Sequence, residues 1–176
     1  VVARPDTKPA IDAPESLEFV TRRASEQPVR IRHQAALTRG REGREMVEMG
    51  FLQDAGAVAF TDGVRVVENT KLLSRCMTYA RGIGALIVGH PQDAGLSRGA
   101  AATSGKFASL YGLPAVTPLA ERMGLERDLA LVEATGVRWH ADQITTAGAL
   151  AVLDRARAAG LDVTAGTSIH HLCLLY

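Results

Sequence analysis

The chain has 176 residues, enough for one domain with a substantial core. A formal net charge of +1, with 22% charged and 47% apolar residues, gives no polyanion-binding surface and no disordered tail, so nucleic acid is not an expected partner. No apolar run reaches the roughly 20 residues that cross a bilayer, and the opening VVARPDTKP lacks a signal-peptide pattern, so a cytoplasmic protein without membrane attachment is expected.

In chain order, VVARP (1–5) reads as a short strand and DTKPAIDAP as a proline-punctuated loop. Pro14 opens a helix over 15–26, where a missing N–H costs nothing. VRIRHQAALT (29–38) alternates as a strand does, and RGREGREMVEMGFLQDAG supplies a short helix with Met46, Met49 and Leu52 on one side, ended by Gly56. Its arginines read as solvated surface. AVAFTDG places Asp62 at the tip of a buried strand. Asn69 is the expected N-cap of a helix through 71–82, carrying Leu72, Leu73, Cys76 and Tyr79 at helical spacing.

ALIVG (85–89) is continuously apolar, the mark of a strand covered on both faces, and it delivers His90 to its tip. Residues 91–105 are rich in Gly, Ala and Ser without periodicity and read as a long loop, a composition that suits a mobile lid and equally a segment that has lost its role. A helix over 118–135 closed by Gly136, a strand over 137–144, a helix over 147–159 closed by Gly160 and a strand over 162–167 complete the series. The two cysteines, Cys76 and Cys173, form neither a disulfide framework nor a zinc knuckle. With no initiator Met, and with HLCLLY ending in an apolar run, the chain is expected to be the middle of a larger domain.

Strict alternation of strand and helix implies a parallel sheet, because each crossover returns the chain to the same edge. An open doubly wound sheet usually carries a glycine-rich phosphate loop after its first strand; RPDTKP stands there instead, which favours a (β/α)8 barrel of the TIM type. Residues 1–176 would then form one partial barrel domain of about six central βα units, lacking the first and the last, with two unpaired sheet edges and poor stability alone. Ligands of such barrels gather at the strand tips. Four tips here carry polar residues: Asp62, His90, HADQITT (140–146) and GTSIHH (166–171).

The blocks ARPDTKPAID, ALTRGREGREMVEMGFLQDAGAVAFTDG, GHPQD, GLPAVTPLAERMGLERDLALVEATGVRWHADQITTA and GLDVTAGTSIHHL, in that order, resemble the dihydroorotase family of the amidohydrolase superfamily. The resemblance implies a (β/α)8 barrel that interconverts carbamoyl aspartate and dihydroorotate in pyrimidine biosynthesis with bound zinc, which activates water and polarises the ring amide. By the same resemblance Asp62 falls in the carboxylate-bearing block after the fourth strand and His90 matches a zinc-binding histidine. Gln143 stands where the family has another histidine ligand, and a neutral amide oxygen is a poor exchange for imidazole on zinc. Asp6 occupies the place of an asparagine that helps hold the substrate carboxylate. Two anions set about 4 Å apart there would cost roughly 1 to 4 kcal/mol.

These departures favour a dihydroorotase-like protein without hydrolytic activity, an oligomer acting as a structural partner of aspartate carbamoyltransferase, as inactive relatives in some bacteria do. The alternative is an active, zinc-dependent dihydroorotase in which Gln143 and Asp6 are tolerated variants. Dihydropyrimidinases and allantoinases bridge their metals with a carboxylated lysine at the fourth strand, and no lysine stands there. His140 reads as a hydrogen-bonded core histidine, His170 and His171 as structural, and Trp139 as packing.

Overall fold

The computed structural model describes residues 1–173. Its elements in chain order are β1 (Val2–Ala3), α1 (Pro14–Ser25), β2 (Arg32–His33), α2 (Met49–Asp54), α3 (Thr70–Gly82), β3 (Leu86–Gly89), α4 (Ala94–Ser97), β4 (Ala102–Thr103), α5 (Lys106–Leu110), β5 (Ala115–Val116), α6 (Leu119–Thr135), β6 (Arg138–Ala141), α7 (Ala147–Ala158), β7 (Val163–Ala165) and α8 (Ile169–Cys173). β1 pairs with β2, and β3 with β6 and then β7, all in parallel. Single parallel bridges at Ala35–Phe60 and Phe60–Ile87 insert the segment before Asp62 between β2 and β3. The main strands thus lie side by side in chain order with no reversal. A doubly wound sheet reverses at its switch point, so this order is that of an arc of a barrel.

Apolar side chains explain the layering. Phe60, Ile87, Trp139 and Val163 face the helices, joining Leu73, Cys76, Met77, Leu125, Leu129, Val132 and Leu153 in one core. Thr164 and His140 face the other way, and His140 Nδ1 lies 2.7 Å from Thr164 Oγ1. Gly89 is required by this packing, since a Cβ there would lie 2.9 Å from Trp139 Nε1. At Gly124 in α6 a Cβ would meet the backbone N of Gln92 at 2.4 Å, so that glycine lets the helix touch the chain just beyond His90.

Local signals hold where they are strong. Asn69 caps α3 by accepting from Leu72 N at 3.1 Å, and Gly136 ends α6 in the left-handed conformation. Two expectations are corrected. Met46 lies outside the short helix, in an antiparallel bridge to Thr38, because that helix begins only at Met49. The 91–105 stretch is not wholly structureless: α4 and β4 lie within it, α5 and β5 follow at 106–116, β4 and β5 pair in parallel, and Phe107, Leu110 and Tyr111 are exposed. Such two-residue strands and one-turn helices are too short to leave a period. The final LLY of the apolar tail lies outside the described residues. No described helix is long and apolar enough to cross a membrane.

Candidate functional site

Asp62 ends its strand almost wholly buried and turns its carboxylate sideways into the neighbouring segment. Oδ1 accepts from the backbone N–H groups of Leu37 (3.0 Å) and Thr38 (2.9 Å), and Oδ2 accepts from the Thr38 hydroxyl. The Thr38 hydroxyl oxygen in turn accepts from Gly43 N at 2.9 Å. The carboxylate thus supplies the acceptors that two buried N–H groups beyond β2 would otherwise lack. Burial pushes its pKa above the ordinary carboxylate value, opposed by the hydrogen bonds from Thr38 and Leu37 and by the charge of Arg41.

His90 stands at the tip of β3, half-buried, with a buried Nδ1 that has no hydrogen-bond partner. Burial lowers its pKa and so favours the neutral imidazole, while the negative charge of Asp142 acts in the opposite direction. Asp62 and His90 line one small cavity of about 20 Å3, together with Leu37, Asp128 and Trp139; Asp6 and Gln143 do not line it. That volume suits a single water. Asp128, on α6, receives two hydrogen bonds from Arg127 on one oxygen, and burial lifts its pKa to about 6.

A row of charges runs across the strand tips. Arg41 pairs with Asp6; Asp6 lies 3.9 Å from Arg4, and Arg4 lies 3.3 Å from Asp142 beyond β6. Asp6 therefore faces two guanidinium groups. Gly63, with φ +70°, borders the same row: a Cβ there would lie 2.5 Å from Asp6 Oδ1 and 3.1 Å from an Arg4 nitrogen. The Arg41 side chain is only 14% exposed, so the expectation of solvated arginines in RGREGR is corrected at that position, while Arg39 and Arg44 remain in solvent.

Gln143 follows β6 with φ +59°, a left-handed conformation uncommon outside glycine. The turn is held from behind by Glu121 of α6, whose carboxylate is buried and accepts from the N–H groups and hydroxyls of both Thr145 and Thr146. His140 is hydrogen-bonded as expected but only half-buried, and His170 and His171 are exposed on α8. Trp139 is buried in the core.

Residues 1–149 match the family model described as dihydro-orotase-like. A dihydroorotase of Syntrophobacter fumaroxidans is 38% identical over 99% of this chain. The chain belongs to the dihydroorotase family. A dihydroorotase-like protein of Pseudomonas putida is 37% identical over 97% of the chain. The chain spans about 40% of the length of each of these relatives. Among solved structures, the L-hydantoinase of Arthrobacter aurescens superposes over 95% of this chain and 39% of its own with a TM-score of 0.73 at 17% identity. The Saccharomyces cerevisiae dihydroorotase in complex with 5-fluoroorotic acid covers 98% of the chain and 50% of its own, with a TM-score of 0.69 at 13% identity. These superpositions carry the fold, a partial (β/α)8 barrel.

Zinc is the metal this family implies, and the donor set of the chain can be tested against it. Both oxygens of Asp62 are already engaged, His90 offers one unpartnered nitrogen, and Gln143 would offer only an amide. Among the described residues no group of three or more His, Cys, Asp and Glu is placed to hold a metal. These residues do not fit a zinc centre by themselves. Arg4, Arg41, Asp142, Glu121 and Asp128 all bear on the site, and none was singled out in the sequence. Arg4 and Asp142 alone had a signal, their places at strand tips.

Proposed function

We propose that the chain is the central part of a dihydroorotase-like protein that does not hydrolyse or close the dihydroorotate ring and instead serves, as an oligomer in the cytoplasm, as a structural partner of aspartate carbamoyltransferase in pyrimidine biosynthesis. The observation that carries this reading is the state of Asp62, whose two oxygens hold Leu37 and Thr38. A carboxylate spent on the backbone of its neighbour is a poor metal bridge. Gln143 in place of an imidazole and the Arg41–Asp6–Arg4 row across the crevice point the same way.

A second reading, an active zinc-dependent dihydroorotase acting on carbamoyl aspartate and dihydroorotate, is favoured by one feature of the site. His90 keeps a buried ring nitrogen without a partner at the strand tip, the state of an imidazole awaiting a ligand.

Zinc per chain and dihydroorotate hydrolysis, measured on the same sample of full-length protein, separate the two. Turnover with bound zinc supports the second reading. Absence of both, with co-elution of an added aspartate carbamoyltransferase in gel filtration, supports the first. Gln143→His alone should not restore hydrolysis, because the Asp62 oxygens stay engaged; appreciable turnover by that variant would overturn the reasoning.

A further inference from the structure

Outside the cavity shared by Asp62 and His90, the loops leaving the strand tips enclose a groove of about 520 Å3. Arg41, Arg44, Arg65 and Arg98 line it against only two carboxylates, Glu42 and Glu68. With Asp6, which pairs with Arg41, three carboxylates meet the four guanidinium groups and one positive charge is left over. The pairing is uneven as well. Arg98 holds Glu68 at 2.8 Å and Arg44 approaches Glu42 at 3.8 Å, while Arg41 is committed to Asp6. Arg65 has no carboxylate partner among the described residues; its NH1 donates to the backbone oxygens of Arg41 (3.1 Å) and Gly40 (3.5 Å), which fixes the guanidinium beside the groove.

We propose that this groove binds a phosphate group, free or carried on a small metabolite. A guanidinium fork matches phosphate oxygens in pairs, and Arg65, without a carboxylate of its own, leaves a positive charge beside the groove for an anion to meet. The volume falls within the roughly 300 to 1,000 Å3 range of small-molecule sites, so a phosphate with a sugar-sized body is accommodated. The loops concerned leave the C-terminal ends of the strands, the edge at which barrels take their ligands. The groove borders the Asp62 and His90 cavity, sharing Arg65 and Val66 with it, but neither Asp62 nor His90 lines the groove, and the proposal is independent of whether hydrolysis occurs.

The test is calorimetric titration of full-length protein with inorganic phosphate and, separately, glycerol 3-phosphate, at low ionic strength. One saturable site per chain is expected, weakened by added salt. Arg65→Gln and, independently, Arg98→Gln should each reduce affinity on the order of tenfold, as expected for the loss of a charge-assisted hydrogen bond; both side chains are exposed, and circular dichroism confirms that the variants fold. Tighter binding of the ester identifies a phosphorylated metabolite as the ligand, and equal binding identifies free phosphate. No saturable binding of either probe, or binding unchanged in both variants, would overturn the proposal.

Discussion

Replacing Asp62 distinguishes a carboxylate that supports the backbone from one that holds a metal. Asp62→Ala removes the acceptor for Leu37 N, Thr38 N and the Thr38 hydroxyl. The hydroxyl can turn elsewhere, but two N–H groups stay buried and unpaired, at about 1 to 3 kcal/mol each. The expected loss is therefore about 2 to 6 kcal/mol, a large share of the roughly 5 to 15 kcal/mol that keeps a domain folded. Asp62→Asn keeps one oxygen for both N–H groups and relieves the desolvated charge, so it should cost under about 1 kcal/mol. Urea unfolding of the full-length variants, followed by the midpoint at constant slope, measures both. A loss below about 1 kcal/mol in Asp62→Ala would refute the argument. So would an Asp62→Asn variant as damaged as the alanine, or one that keeps its stability while losing stoichiometric zinc.

Other substitutions probe the supports around this tip. Gly124→Ala puts a methyl 2.4 Å from Gln92 N and must push the 90–93 backbone away from α6, at about 1 to 3 kcal/mol of overpacking; a variant with an unchanged melting temperature would contradict the close approach. Glu121→Ala should release the turn after Gln143, raising amide hydrogen exchange at Thr145 and Thr146 well above that in the flanking β6 and α7; unchanged exchange would remove Glu121 as its anchor. Asp128 has a folded pKa of about 6 against an ordinary 3.8, so its contribution is greatest below pH 4 and is lost as pH rises through 6. His33 and His90, with lowered pKa values, act oppositely, their contribution being present above the ordinary 6.5 and falling away as pH drops below it through their lowered values. The difference between Asp128→Asn and the parent isolates the aspartate: the variant should gain about 3 kcal/mol relative to the parent between pH 3 and pH 7. A pH-independent difference would contradict the buried charge.

The barrel arc was legible because its strands are short apolar runs and its longer helices carry periodic apolar faces with readable ends, such as Asn69 and Gly136. Placing Asp62 and His90 at strand tips needed nothing more. What the two side chains do there was not legible. The groups that occupy Asp62 are backbone N–H groups of Leu37 and Thr38, and a backbone donor leaves no trace in composition or spacing. Arg41 pairs with a residue 35 positions away, and nothing in RGREGR marks one arginine as inward. Asp6 illustrates the consequence: its carboxylate is plain in the sequence, whereas Arg41 and Arg4, the two guanidinium groups it faces, are not. Glu121 and Asp128 sit in a helix whose polar residues look like any solvated face, yet α6 is pressed against α3, α7 and the chain beyond His90, so both are enclosed.

The contact between Trp139 and Gly89 gives these 176 residues an internal spectroscopic gauge. Trp139 is their one tryptophan, it is buried, and its indole nitrogen lies against the glycine that immediately precedes His90. Emission from that indole reports the polarity and spacing of the β3 tip itself. A ligand reaching His90, or a substitution that lifts the tip from α6, should therefore change the colour of the protein's own fluorescence without any label.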